Sequence, residues 1–135
     1  MMRYLLDTNI VSYFVKGISD GLVARMARGF KAKDIAISAI TRAELRFGVD
    51  MMDAKDRRRA RILLLLGTLP TLPWTAEAAD YFGKIKAQLQ RQGTPIGDLD
   101  TQIGAHALAE GLILVTHNTR HFERIAGLKL EDWMG

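Results

Sequence analysis

The fold is decided by the segment Arg3-Tyr4-Leu5-Leu6-Asp7-Thr8-Asn9, in which a short apolar run ends abruptly in three polar residues. A run of this length and composition predicts a buried β-strand. The apolar residues that follow, Val11, Phe14 and Val15, share the spacing of one helix face. Gly17 is typical of a helix end. The segment therefore predicts a strand, a turn that carries Asp7, and a helix.

The same alternation of short strands and longer helices continues along the chain. We predict further strands at 35–38 and 112–115, a short extended piece at 71–74 and an edge strand at 128–130. Helices are predicted at 22–28, 41–52, 55–66, 76–92 and from 98 or 99 to 110. Such alternation is typical of an α/β sandwich around a mainly parallel central sheet. The 135 residues fit a single domain, 1–135.

Composition excludes several classes of function. The chain has no cysteine, which excludes disulfides, zinc–thiolate sites and cysteine nucleophiles. The amino end lacks the apolar core of a signal peptide, and the longest aliphatic run, 62–66, is far shorter than the ~20 residues that span a bilayer. We therefore expect a soluble, cytoplasmic protein that does not contact a membrane. The net charge of +4 favours encounter with phosphate polymers.

Polar residues stand at the ends of the predicted strands. Asp7 follows the first strand and could cap the next helix, and Thr116 to Asn118 follow the strand at 112–115. In open α/β sheets, ligands bind at the carboxyl edge of the strands. Asp98 and Asp100 follow a loop at 93–97, and we expect Asp98 to cap a helix while Asp100 points into the crevice.

Glu44 has two interpretations that the sequence leaves open. Thr41 and Glu44 have the spacing of a capping box, in which the glutamate bonds back to the start of its own helix. Its apolar helix neighbours, which include Leu45, instead suggest a substantially buried helix, where a carboxylate needs a partner.

Electrostatics limits what a cluster of Asp7, Glu44 and Asp100 could be. Two carboxylates ~4 Å apart repel by ~4 kcal/mol at an effective dielectric constant near ~20, so three of them need protons or a cation. Oxygen ligands select hard ions such as Mg²⁺ or Mn²⁺. Such an ion can activate water and stabilise charge on a phosphodiester. The acids therefore suggest a metal-dependent nuclease.

Four segments together resemble a known family. They are Leu5-Leu6-Asp7-Thr8-Asn9, the stretch from Ser38 to Leu45, the stretch from Gly93 to Asp100, and the stretch from Leu114 to Phe122. In this order and spacing they resemble the PIN-domain ribonucleases, and among these the VapC-like toxins of bacterial toxin–antitoxin pairs. The resemblance covers essentially the whole chain, including the ending from Gly127 to Trp133.

The resemblance implies a parallel-sheet α/β/α fold and cleavage of RNA that depends on Mg²⁺ or Mn²⁺. It also implies a homodimer and a larger complex with a small VapB-like antitoxin. The acids of the family fall on residues that would bind the metal, namely Asp7, Glu44 and Asp100. The fourth catalytic position falls on Asn118, which is uncharged. The accessory positions are Thr8, Asp98, Thr116 and His117, where Asp98 stands in place of a frequent proline and His117 in place of a common asparagine.

Basic residues have alternative interpretations. The segment 55–61 holds five cations, which fit a solvated helix face, an RNA-backbone contact or a surface for an acidic part of the antitoxin. Arg120 and Arg124, close to the proposed site, are candidates for RNA binding. The three histidines do not have the spacing of a metal site, and His106 is interpreted as a packing or surface residue.

Two other functions compete with the nuclease. A catalytically weak RNA- or protein-binding module could keep the same fold, but it would have no reason to retain three mutually repelling acids. A phosphoryl-transfer receiver domain would need an acidic pair after the first strand, where Asp7 is followed by Thr8 and Asn9. The chain has no glycine-rich phosphate loop of the Walker type.

Overall fold

The computed structural model describes residues 1–135 and contains one five-stranded sheet. The strand order is β3-β2-β1-β4-β5, and all four pairings are parallel. The predicted α/β fold with a mainly parallel sheet is therefore confirmed. The strands are β1 (Tyr4–Leu6), β2 (Ile35–Ser38), β3 (Thr71–Leu72), β4 (Ile113–Val115) and β5 (Leu130–Glu131).

Seven helices cover the sheet: α1 (Thr8–Lys16), α2 (Asp20–Ala32), α3 (Ala39–Met51), α4 (Arg57–Thr68), α5 (Ala76–Arg91), α6 (Asp98–Glu110) and α7 (Thr119–Phe122). The sequence predicted all of them except α7, which is a single turn of four residues. It placed the ends of α2 too far inward, because the Ser19 hydroxyl accepts from the Leu22 amide and starts the helix earlier. Local caps thus set boundaries that apolar spacing alone does not give.

Alternate residues of β1 face opposite sides of the sheet, as strand geometry requires. Tyr4 and Leu6 pack in a cluster with residues of α1 to α4, while Leu5 packs with residues of α5, α6 and α7. Both leucines are fully buried, and each such side chain contributes roughly 1.5–3 kcal/mol on burial. The sheet is therefore covered by helices on both faces, which makes the sandwich.

The strand register brings three polar residues to the same edge. Leu6 is aligned with Ile37 of β2 and with Val115 of β4. The next residues in each strand are Asp7, Ser38 and Thr116, and the Asp7 amide donates to the Val115 carbonyl at 3.0 Å. Strands β2 and β3 lie on one side of β1, and β4 and β5 lie on the other side. The strand order therefore reverses at β1, beside Asp7.

Close packing holds α6 beside this edge. A Cβ atom on Gly104 would lie 2.5 Å from the terminal methyl of Ile125, so a larger residue there would have to displace that side chain. His106 is fully buried, as a packing residue would be, and its Nδ1 lies 2.7 Å from the Ser38 hydroxyl at the end of β2. These contacts fix the position of the helix that begins with Asp98 and Asp100.

None of the seven helices combines the length and the apolar composition that a membrane-crossing helix requires.

Candidate active site

Asp7 lies at the centre of the carboxyl edge. It is buried and caps α1, where its Oδ1 accepts from the Ile10 amide at 2.8 Å. The pKa of Asp7 is raised to about 6, mainly by burial and also by the negative charges of Asp100 and Glu44, while hydrogen bonds from Thr116 and Ile10 act in the opposite direction. The capping role and the ligand-edge position predicted for Asp7 thus coexist in one side chain.

Glu44 does not take part in a capping box. Helix α3 begins at Ala39, earlier than predicted, and its cap is Ser38, whose hydroxyl accepts from the Ile40 amide. The Glu44 Oε1 instead accepts from the Thr8 hydroxyl at 2.7 Å, and the Thr41 hydroxyl lies 3.1 Å from the same Thr8 oxygen. The capping interpretation is therefore wrong, and Glu44 is held toward Asp7 by the first residue of α1.

Asp100 lies in the first turn of α6 and is half-buried, which raises its pKa. Its Oδ2 lies 3.1 Å from Nδ1 of His121, and a positive charge on that ring acts to lower the pKa of Asp100. The sequence did not assign His121 to the site. The contact joins the short helix α7 to the first turn of α6, and no local pattern in the sequence indicates it.

A cavity of about 240 Å³ opens beside Asp7. It is lined by Asp7, Asn9, Tyr13, His117 and Asn118. The predicted residues Asp7, His117 and Asn118 therefore meet, whereas Asn9 and Tyr13 were not assigned to the site. Helical geometry could have identified them, because Asn9 and Tyr13 are four residues apart on one face of α1, the helix that Asp7 caps.

The predicted accessory residues have different surroundings. The backbone amide of Asn118 donates to the Thr116 hydroxyl at 3.0 Å, which fixes the turn after β4. His117 is exposed, and its Nδ1 lies 2.9 Å from the Asp132 carboxylate. Asp98 is not the cap of α6, since Gly97 occupies that position with a φ of 90° that a side chain would strain. Asp98 instead pairs with Lys86 of α5 at 3.0 Å.

The basic residues remain on the surface. Arg120 and Arg124 are exposed, and Arg124 Nη1 lies 3.5 Å from the Pro95 carbonyl of the loop before α6. In the segment 55–61, Arg58 pairs with Asp56 at 2.8 Å, and Arg61 donates to the Val15 carbonyl. Most of that segment is exposed to solvent, consistent with the solvated helix face.

The acids fit a metal ion in their chemistry but do not form a closed set of ligands. No group of three or more aspartate, glutamate and histidine side chains is spaced closely enough to bind an ion by itself. The charges of Glu44 and Asp100 nonetheless act on Asp7, which is a buried carboxylate in need of a positive partner. An oxygen-only donor set of this kind suits an ion that retains several waters, as Mg²⁺ does.

Comparison of the sequence with known families and proteins finds relatives that match essentially the whole chain. The profile described as "PIN domain" matches residues 4–128. Ribonuclease VapC2 of Haemophilus influenzae is 41% identical over 134 residues, covering 99% of this chain and all of that protein. The tRNA(fMet)-specific endonuclease VapC of Shigella flexneri is 38% identical and covers 98% of this chain and 99% of its own length.

A solved structure shows the same fold. The DNA-bound VapBC of Salmonella typhimurium contains a chain that matches with a TM-score of 0.90 and 36% identity, over 98% of this chain and 99% of that one. Nucleases of this kind are generally dependent on a divalent metal. The profile match, the full-length relatives and the shared structure together show that this chain belongs to the PIN domain family and, within it, to the VapC ribonucleases.

Proposed function

We propose that this protein is the toxin of a toxin–antitoxin pair and that it hydrolyses RNA phosphodiester bonds as an endoribonuclease dependent on Mg²⁺ or Mn²⁺. The observation that carries the proposal is the state of Asp7. It is a buried carboxylate at the ligand-binding edge of a parallel sheet, with a pKa raised to about 6 and two further acids acting on it. A group in that position is stabilised by a cation that a polyanionic substrate can share.

The residues that would bind the ion are Asp7, Glu44 and Asp100. When bound, a divalent ion lowers the pKa of a coordinated water and neutralises charge that develops on the phosphate. Thr8 keeps Glu44 in place through the 2.7 Å hydrogen bond, which leaves the second carboxylate oxygen free to bind. The three acids would thus supply the negative charge that binds the ion, and the Thr8 hydroxyl would orient Glu44.

Neutral groups at the cavity would position the RNA. The Asn118 side chain lines the cavity, and its backbone is fixed by Thr116. An amide can donate to a phosphate oxygen without adding a negative charge that would repel the substrate. Arg120 and Arg124, on the surface that follows Asn118, would contact the RNA backbone.

We also propose the assembly in which this toxin is held. The solved relatives from Salmonella typhimurium and Rickettsia felis are VapBC complexes bound to DNA. By analogy, a small VapB-like antitoxin binds this chain, and the toxin forms a homodimer within the larger complex. The 135 residues act as one domain, and the cytoplasm is where such an enzyme meets its RNA.

The deciding experiment is RNA cleavage by the purified protein. We expect cleavage with Mg²⁺ or Mn²⁺, none with a chelator, and loss of cleavage in Asp7→Asn and Asp100→Asn. Asp80→Asn is the matched control, because Asp80 is an exposed acid on α5 that does not line the cavity. Initiator tRNA belongs in the substrate panel, since two relatives are named tRNA(fMet)-specific endonucleases. Metal-independent cleavage, or full activity in both site variants, would refute the mechanism.

A growth experiment tests the role as a toxin. Expression of the wild-type chain alone should arrest growth, and co-expression of the small protein encoded beside it should restore growth. Expression of Asp7→Asn should be harmless. Arrest by the Asp7→Asn chain would mean that toxicity does not come from the proposed chemistry.

A further inference from the structure

The segments that follow β4 and β5 bring an aspartate against a histidine at the candidate active site. The parallel register pairs Val115 with Glu131, and the Thr116 amide donates to the Glu131 carbonyl at 3.0 Å. Just beyond this pairing, Nδ1 of His117 lies 2.9 Å from Oδ2 of Asp132. The contact therefore follows from two neighbouring strands that end at the same edge of the sheet.

Asp132 is fixed on its other side as well. Its Oδ1 accepts from the Met134 amide at 2.9 Å, which leaves Oδ2 for His117. Between Asp132 and Met134, the Trp133 ring is buried and packs against Tyr4 with the ring centroids 5.0 Å apart. The carboxylate thus has an anchored backbone and a partner for each oxygen. An ion pair between two mobile surface side chains has neither, and such pairs contribute little to stability.

The imidazole of His117 has one nitrogen that is paired and one that is available. A carboxylate only accepts, so Nδ1 carries the proton in the bond to Asp132. Nε2 has no hydrogen-bond partner in the protein, and the side chain is 52% exposed. Tyr13 of α1 contacts the ring edge to face, with centroids 6.2 Å apart. Asp132 and Tyr13 therefore hold the ring and leave Nε2 free to gain and give up a proton.

This ring lines the cavity of about 240 Å³ that opens beside Asp7. The titratable groups that line the cavity or touch the ring are Asp7, Tyr13 and Asp132. Asp7 is assigned to the cation of the proposed function, and the amides of Asn9 and Asn118 do not release protons. Imidazole is the side chain whose proton exchange lies nearest to neutral pH. A substrate bound at Asp7 thus has one efficient proton donor in the cavity.

We propose that His117 is a catalytic residue, the acid that protonates the leaving oxygen during RNA cleavage, and that Asp132 positions it. The inference rests on the proposed function. In this step the oxygen of a water molecule bonds to phosphorus while the bond from phosphorus to one bridging oxygen breaks. The attacking water releases a proton to solvent, and the leaving oxygen takes the Nε2 proton and departs as a hydroxyl group. The imidazole regains a proton from solvent before the next turnover.

The experiment compares single-turnover cleavage of two RNAs that differ in one atom. One RNA has the natural oxygen at the bridging position that leaves, and the other has sulfur there; the ends of the wild-type products identify that position. A thiolate leaves without a proton. We expect His117→Gln, which cannot deliver a proton, to lower the rate on the oxygen RNA by about a hundredfold and to change the rate on the sulfur RNA by less than about threefold.

RNA binding separates proton transfer from substrate contact. Fluorescence anisotropy with the Asp7→Asn protein in chelator, with and without His117→Gln, should give equal affinities for the oxygen RNA. Since His117 is exposed, both proteins should also melt at the same temperature.

Asp132→Asn tests the positioning of the ring. The rate on the oxygen RNA should fall by about tenfold, the rate on the sulfur RNA should be kept, and the substitution should cause no further loss when it is added to His117→Gln. Glu131→Gln is the matched control, because this neighbouring carboxylate pairs with Arg25 and does not line the cavity.

The outcomes distinguish the inference from the proposed function. Absence of cleavage by the wild-type protein would refute the proposed function, and the inference with it. Cleavage by the wild-type protein combined with an unchanged rate in His117→Gln, an equal loss on the oxygen and sulfur RNAs, or a loss accounted for by weaker RNA binding would overturn the inference alone.

Discussion

Asp7 and Asp56 hold the same local position in two different regions of the molecule. Each is the N-cap of a helix, Asp7 for α1 and Asp56 for α4, and each accepts from a backbone amide in the first turn. Burial raises the pKa of Asp7 to about 6. Hydrogen bonds from the Arg58 side chain and amide lower the pKa of Asp56 to about 2. One local motif thus yields two opposite acidities.

The difference comes from what surrounds each cap. Asp7 lies under the sheet edge with two further acids acting on it, whereas Asp56 lies at the surface with Arg58 beside it at 2.8 Å. A buried capping carboxylate close to other acids, such as Asp7, favours binding of a cation. A capping carboxylate that is already paired with an arginine, such as Asp56, only stabilises its helix. Capping therefore does not exclude function, and the neighbours of a cap decide which role dominates.

The largest expected effect is on catalysis. Asp7→Asn keeps a good capping side chain but removes a charge at the proposed metal site, so we expect RNA cleavage to fall by about a hundredfold to a thousandfold. Asp56→Asn makes the same chemical change at the other cap and should leave the rate unchanged. Rate measurements on the two variants, at saturating Mg²⁺, separate the roles. Equal losses would show that the helix cap, and not the charge, is what cleavage requires.

The next effect is on stability, and it has opposite signs at the two caps. The pKa of Asp7 is raised in the folded protein to about 6 from 3.8. The folded state therefore binds the proton more tightly, and stability decreases as pH rises from about 4 to about 6. Above that range the ionised carboxylate costs about 3 kcal/mol. Without metal at pH 8, Asp7→Asn should melt at a higher temperature than wild type, and the gain should disappear near pH 4.

For Asp56 the effect of ionisation on stability has the opposite sign. Its pKa is lowered in the folded protein, so its contribution to stability is present above the unfolded pKa and is lost as pH falls through the folded pKa of about 2. Asp56→Asn should therefore melt slightly lower than wild type at pH 8. Thermal melts of the two variants at pH 8 and pH 4 test both signs, and a stabilising effect of both substitutions at pH 8 would contradict this account.

Thr8→Val tests whether the hydrogen bond from Thr8 to Glu44 orients Glu44 for metal binding. Valine has the same shape as threonine but cannot donate to Glu44, so the second acid loses its orientation. We expect the Mg²⁺ concentration that gives half-maximal cleavage to rise about tenfold, as for loss of a group that orients a metal ligand. The maximal rate should change less. Thr8→Ser restores the hydroxyl and should restore the metal dependence. Failure of serine to rescue would indicate a packing role for Thr8.

The smallest effect is that of salt. The Asp56–Arg58 pair lies at the surface, so ~1 M salt, with a Debye length near ~3 Å, should bring the melting temperatures of Asp56→Asn and wild type together. The gain in Asp7→Asn arises from burial and should persist at the same salt concentration. Loss of both differences in salt would mean that Asp7 is more accessible to ions than its burial indicates.

Much of the fold could be predicted because its signals are local. The apolar run before Asp7 and the helical spacing of Val11, Phe14 and Val15 were sufficient to predict β1 and α1. Where a helix boundary depends on a cap, the predicted boundary differs from the observed one. Helix α3 begins at Ala39, and not at the predicted 41, because Ser38 caps it. The turn of helix at Thr119 was not predicted, since four residues leave no periodicity to detect.

The residues of the candidate site also fall into those that the sequence predicted and those that only the packing of the chain shows. Asp7, Asp100 and Asn118 follow strand ends or loops; the chain order of those elements predicted the two acids, and the family resemblance added Asn118. Glu44 had two local interpretations, and only the packing of α1 against α3 decided between them, by bringing Thr8 within 2.7 Å. His121 was missed because its contact with Asp100 joins residues that are separated by a strand and a helix.

The sequence by itself determined the parallel α/β fold and the family, and it predicted which acids form the site, because strand and helix periodicity and ordered motifs are properties of consecutive residues. Only the tertiary structure decided the acidity of Asp7, the partner of Glu44 and the pairing of His117 with Asp132. The physical reason is that burial, charge and hydrogen bonding depend on distances between segments that are remote in the chain. Asp7 and Asp56 hold the same capping position, but Asp56 pairs with Arg58 two residues along the chain, whereas Asp7 is buried beside acids that come from remote segments.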